Sequence, residues 1–164
     1  MNIYILDKNI KRCAEYHCDQ HVHKMLIDNV QMLCTALNNR GYPTPFQSVH
    51  PRHECVKWVE ESYDNFVWLE GLTMALNNEY KFRFRTNKDH QVIAALNQIR
   101  SFKYESLGLT DFVQSMPWEY RVPDDPVAAY RSFYTGEKLQ FARWTRRQKP
   151  AWIEEHLYAP VGHA

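Results

Sequence analysis

From Lys8 to Asn38 the chain holds neither proline nor glycine, and Ala14, Cys18, Val22, Leu26, Val30, Leu33 and Leu37 recur at intervals of three or four residues. Such spacing gathers apolar side chains on one face of an α-helix, a face that the rest of the chain must then cover. A first helix near residues 8–38 follows, with Asp7 as its cap and Asn38, Asn39 and Gly41 as its stop. Its other side is polar, for three of the eight histidines fall between His17 and His23. At about 100° per residue, His17, His21, Lys24 and Asp28 lie within roughly 60° of one another. They form a stripe of two imidazoles, an ammonium and a carboxylate.

The remaining pattern is also helical. Residues 2–6 alternate and are β-prone, which predicts a short strand or an extended segment over the core. Pro43 and Pro45 mark a loop. Pro51 suits a helix start, and Val56, Val59, Tyr63, Phe66, Leu69, Leu72 and Leu76 continue an apolar stripe. One helix over 51–84 would be about 50 Å long, so a break is expected between Ser62 and Asn65. Val92, Leu96 and Ile99 define a further helix ended by Gly108. Prolines 117, 123 and 126 leave mostly loop over 109–126, with one turn near 110–115, before a last long helix from Asp125-Pro126 to about 146, with Gly136 as its weak point. With aromatic residues at 14% and only five glycines in 164 residues, the expectation is an all-α, compact single-domain helical bundle over 1–164, with an extended N-terminal segment and a Pro-rich loop before the last helix.

Charge and cysteine content narrow the function classes. A net charge of +1 provides no overall attraction to nucleic acid, so any such binding requires a local basic patch. Cysteines 13, 18, 34 and 55 have neither metal-site spacing nor disulfide-scaffold density. Reduced thiols in a cytoplasmic protein are expected. The first residues lack the basic start of a signal peptide, and no apolar run reaches the 18 or more residues of a membrane span. The large side chain of Asn2 predicts that Met1 is retained.

His17-x-x-x-His21 could share a tetrahedral ion on a helix, but the glutamate of the zincin pattern is missing after His17. No metal or other cofactor is assigned. Asp28, at the edge of the apolar face, suits proton transfer or stabilisation of a developing cation, with His21 and His17 orienting or donating a proton. The equally open alternative is an ordinary Lys24–Asp28 helix salt bridge. Cys13 and His17 could form a thiol–imidazole pair, although buried cysteine is far more often a small apolar residue. Two segments interleave cations with aromatics: Glu79–His90, with Tyr80, Arg83, Arg85, Lys88 and His90, and Arg143–Lys149, with Trp144, Arg146 and Arg147. Such mixtures suit phosphate contact and base stacking, whereas the plainer reading is a helix end whose cations meet the dipole and whose rings pack inward.

Asp19-Gln20-His21, followed seven residues later by Asp28, resembles the DQH-to-acid spacing of the phage pyrimidine-dimer DNA glycosylase (endonuclease V) family, whose acid is glutamate. Lys149-Pro150-Ala151-Trp152-Ile153 loosely matches that family's C-terminal basic-Pro-x-Trp-aromatic stretch. Ala129-Tyr130-Arg131-Ser132-Phe133-Tyr134 looks like an AYRxxY segment of small uncharacterised tailed-phage proteins, which adds Arg131 to the candidate ligand-binding residues. The resemblance implies a phage origin, a helical fold whose first helix lines a DNA cleft, and an N-glycosidic bond cleaved with help from the carboxylate. In that family a threonine α-amine attacks, and a retained Met1 departs from this. The expected ligand is DNA or a phosphate-containing nucleotide. The alternatives are a non-catalytic protein that sequesters a nucleotide or signalling molecule, and a phage structural or interaction protein.

Overall fold

A computed structural model describes residues 1–153. The elements are α1 (Ile10–Tyr16), α2 (Asp19–Asn39), α3 (Glu54–Glu61), α4 (Tyr63–Arg83), α5 (Val92–Ile99), a 3-10 turn (Trp118–Tyr120) and α6 (Pro126–Glu137), with no strand among the described residues. The all-α class is therefore observed. Helix α2 is the central element, packing against α3, α4 and α5, while α1 lies on α4. Val22, Leu26, Val30, Leu33 and Leu37 are all buried, as their spacing predicts.

The expected 8–38 helix is in fact two helices. The chain leaves α1 at His17 and enters α2 from Cys18, both with extended backbone. No glycine or proline causes this. Distant side chains take up the backbone groups that the break frees. The Arg83 guanidinium donates to Glu15 O at 2.8 Å and His17 O at 2.6 Å, and Trp144 Nε1 donates to Tyr16 O at 2.9 Å. The Cys18 amide donates to Tyr134 Oη at 2.9 Å, and the Asp19 amide to Arg143 O at 2.7 Å. Since a buried unpaired backbone group costs about as much as a lost hydrogen bond, these partners make the break tolerable.

Other boundaries move for local reasons. Asp7 accepts from the Asn9 amide, while Asn9 caps α1 by accepting from the Arg12 amide at 2.9 Å. The stripe expected from 51 divides at Ser62, which is extended and caps α4 through the Asp64 amide, within the expected break. Helix α3 starts at Glu54 rather than at Pro51, capped by the His53 ring. Helix α5 ends at Ile99, well before Gly108. The turn expected near 110–115 lies at 118–120. Asp125 and Pro126 open α6 as expected, but it stops at Glu137 rather than near 146. Residues 2–6 belong to no helix or strand, and Ile3 to Leu6 are buried. Asn2 fixes them, for its Nδ2 donates to Ser115 O at 2.8 Å and its Oδ1 accepts from the Tyr130 hydroxyl at 2.8 Å.

Arg83 is fully buried between Glu79 at 2.8 Å and Asp19 at 3.2 Å. Removing one member of such a group leaves uncompensated charge, a loss of about 3–5 kcal/mol. Arg83→Met is expected to lower the thermal midpoint by roughly 10 °C, whereas Arg146→Gln, at an exposed site, is expected to stay within about 1 kcal/mol of the parent protein. Thermal melts of both variants check this.

Candidate active site

The edge of α2 that carries His21, Lys24 and Asp28 is where the extended N-terminal segment crosses the helix. The Tyr4 ring stacks on His21 at 4.6 Å and 18°, and meets His17 edge-on at 6.2 Å. Tyr134 Oη lies 2.8 Å from His21 Nδ1, and the rings of Tyr134 and Phe141 pack against the imidazole. His21 and Asp28, seven residues apart, share one edge about 10 Å apart along the axis. His17 is not part of that stripe. It precedes the break, so the two imidazoles do not form an i, i+4 pair on one helix.

Both buried histidines are held neutral. Burial, offset in part by the hydrogen bond to Cys13 O and reinforced by the Arg83 charge, lowers His17 to about 4. Burial, together with His17, Lys138 and Lys24, lowers His21 to about 3. Since Cys13 O accepts from His17 Nδ1 at 2.7 Å, Nε2 carries the lone pair, and it is buried with no hydrogen-bond partner. Burial raises Tyr4 first, and the Cys18 and Asp28 charges raise it further. Burial pushes the Cys13 thiol up to about 12 while it donates to Tyr4 O at 3.2 Å. Such a thiol is a poor nucleophile.

Asp28 is the unusual member. Its Oδ2 is buried without a hydrogen bond, and its nearest cation, Lys24 Nζ, stands 3.9 Å away. Buried carboxylate oxygens are nearly always hydrogen-bonded, so each exception calls for a reason.

The expected phosphate contacts fare differently. Arg83 is internal. Arg147 forks onto Glu79 at 2.7 and 3.0 Å, and with the charge of Arg83 this overcomes burial and holds the Glu79 carboxyl below its ordinary value. Arg131 donates to Leu6 O and pairs with Asp7 at 3.2 Å. Arg146 donates to Phe82 O, and the guanidinium groups of both Arg146 and Arg147 lie over the Phe82 ring. Trp144 donates to Tyr16 O, yet with Arg143, Thr145 and Lys149 it also lines a cleft of about 390 Å³. Arg85 and Lys88 are exposed and join none of the ion pairs among the described residues.

His90 Nε2 lies 3.1 Å from His23 Nδ1, with the Tyr80 ring against both imidazoles. Because His90 Nδ1 accepts from the Val92 amide at 3.2 Å, Nε2 carries the proton and donates to His23. Burial and the neighbouring His23 lower His90. Clefts also occur elsewhere, including one of about 510 Å³ along α3, but neither it nor the cleft at Trp144 is lined by Asp28.

No family model, curated protein or solved structure matches this chain. The site is therefore read from its own chemistry. Sequence reasoning does not single out Tyr4 or Tyr134 as site residues. The only signals were the alternation over residues 2–6 and the tyrosine-rich segment at 129–134.

Above pH 6.5 His17 and His21 are neutral whether the chain is folded or not. Below it the unfolded chain takes up protons that the native state refuses. Stability is therefore complete above 6.5 and falls as pH drops toward about 4 and then 3, by an amount on the order of a few kcal/mol. Urea midpoints at pH 7 and 5 are expected to show this fall, and His21→Gln is expected to flatten it.

Proposed function

We infer that this protein acts on DNA or a nucleotide by breaking an N-glycosidic bond, with Asp28 stabilising the positive charge that develops on the sugar. The supporting observation is the unpartnered Asp28 Oδ2, a buried carboxylate oxygen that no internal donor satisfies and that therefore calls for a reason. The neutral His21 ring, two turns away on the same helix edge, supplies a nitrogen for orienting water or a leaving base. Phe141, the exposed ring at this edge, suits stacking of an extruded base. Arg143 and Lys149 at the Trp144 cleft, with Arg85 and Lys88, are the outward-facing cations for phosphate. The spacing from Asp19-Gln20-His21 to the acid and a phage origin belong to the same reading.

Duplexes carrying single damaged or modified bases, together with free nucleotides, are the substrates to incubate with the pure protein. Free base is expected as product. Asp28→Asn is expected to slow its release by about 100-fold or more, the loss typical for one preorganised electrostatic group, with the thermal midpoint within a few degrees of the parent. Equal rates for the two proteins would remove Asp28 from the reaction. Tight binding with ligand recovered unchanged after denaturation would establish a sequestering protein instead.

A further inference from the structure

One surface away from the Asp28 edge has no part in the candidate site. The cleft of about 510 Å³ along α3 is lined by Glu54, Lys57, Trp58, Glu60 and Glu61, together with Val113. A second hollow, of about 390 Å³, shares Glu54 and Val113 with it and reaches Trp118, Arg121 and Pro123. Two hollows with two lining residues in common form one elongated groove. Neither holds a residue assigned to the glycosidic reaction, so the occupant of the groove is independent of that reading.

The α3 half of the groove is acidic. Lys57 stands within one helical turn of Glu54, Glu60 and Glu61, yet none of the four joins an ion pair among the described residues. The Met1 α-amine acts on His53 and Cys55, beside Glu54, but does not line the cleft. Glu60 Oε2 accepts from Asn39 Nδ2 at 3.2 Å and Glu61 Oε2 from Thr110 Oγ1 at 2.8 Å, so each Oε1 is left without a donor among the described residues. Trp58 is buried in the wall of this cleft, and its Nε1 has no acceptor among the described residues, an exception that calls for a reason. The far half is apolar. Trp118 is 80% exposed, more than any other large apolar side chain among the described residues. The Arg121 guanidinium lies 4.3 Å from its ring centroid and is fixed by donation from Nε to Met116 O at 2.8 Å. An indole held in place by its own chain while most of its surface meets water is the kind of side chain that anchors an interface.

We propose that this groove docks an extended basic segment of another protein, with its lysine or arginine side chains on the α3 carboxylates and an apolar side chain on Trp118. Charge complementarity selects the occupant. Nucleic acid is repelled by the three glutamates. A small amine fills the acidic half and leaves Trp118 bare. A second copy of this chain would have to dock head-to-tail, a contact that propagates into filaments unless its rotation closes. A peptide offers cations, an apolar anchor and backbone carbonyls along one line, as the length of the groove requires.

A random peptide library displayed on phage and selected on the full-length protein supplies the probe, and enriched peptides are synthesised with a fluorescent label for anisotropy measurements. The enriched peptides are expected to join several lysines or arginines to an apolar residue. Trp118→Ala is expected to weaken their binding about tenfold or more, the scale of an interface anchor. The double variant Glu54→Gln, Glu61→Gln is expected to weaken it about fivefold and to lessen its salt dependence, while Lys57→Gln strengthens it. Glu70→Gln removes an acid from α4 that lines neither hollow, and it is expected to leave binding unchanged. Thermal melts of each variant separate lost binding from a lost fold. Selection that enriches no basic peptides, or binding that survives both Trp118→Ala and the double variant, overturns the proposal. So does an equal loss in Glu70→Gln, which marks general charge attraction, or displacement of the peptide by spermidine at equal concentration, which marks a polyamine site. An oligomer in sedimentation velocity that Trp118→Ala dissolves overturns it in favour of a second copy.

Discussion

The Arg83 guanidinium, with no exposed surface, holds the rest of the structure in register. It meets Glu79 on its own helix, Asp19 at the start of α2, and two carbonyls at the end of α1. Arginine suits this position because its planar fork meets several acceptors at once and stays charged when buried. Arg147 completes the arrangement by closing on the far side of Glu79, and Thr145 by donating to Asp19. The α1–α2 break, the C-terminal end of α4 and the 143–147 segment thus form one polar joint inside an apolar bundle.

That joint explains what could and could not be read from the sequence. Helix propensity and apolar period are local, and they located α2, the division at Ser62 and the start of α6. The break at His17–Cys18 has no local marker, since its stabilising partners lie 64 to 128 residues away in the chain. The arginines misled for the same reason. A run such as Lys81-Phe82-Arg83-Phe84-Arg85 reads as a basic surface until the fold shows that Arg83 faces inward while Arg85 remains outside. Residue type predicted the charge of these side chains, and only tertiary contacts decided which faced solvent and which the core.

The candidate site was partly legible. Asp28 and His21 stand on one edge of α2 as their spacing requires, because both lie beyond the break. His17 and Tyr4 joined or left that edge through contacts no periodicity encodes. Burial then turns His17 and His21, which suggested a metal, into neutral rings packed against Tyr4.

The joint also orders events during synthesis. The Cys18 and Asp19 amides near the start of the chain reach their partners only at Tyr134 and Arg143, more than 110 residues later. Until that region leaves the ribosome, the Cys18 and Asp19 amides and the Tyr16 carbonyl remain open to water, and α2 lacks the cover that closes its histidine edge. A topology dominated by such distant closures folds more slowly than a bundle of sequential hairpins. It also makes the 134–145 segment the one that closes a loose helical assembly over the histidine edge of α2.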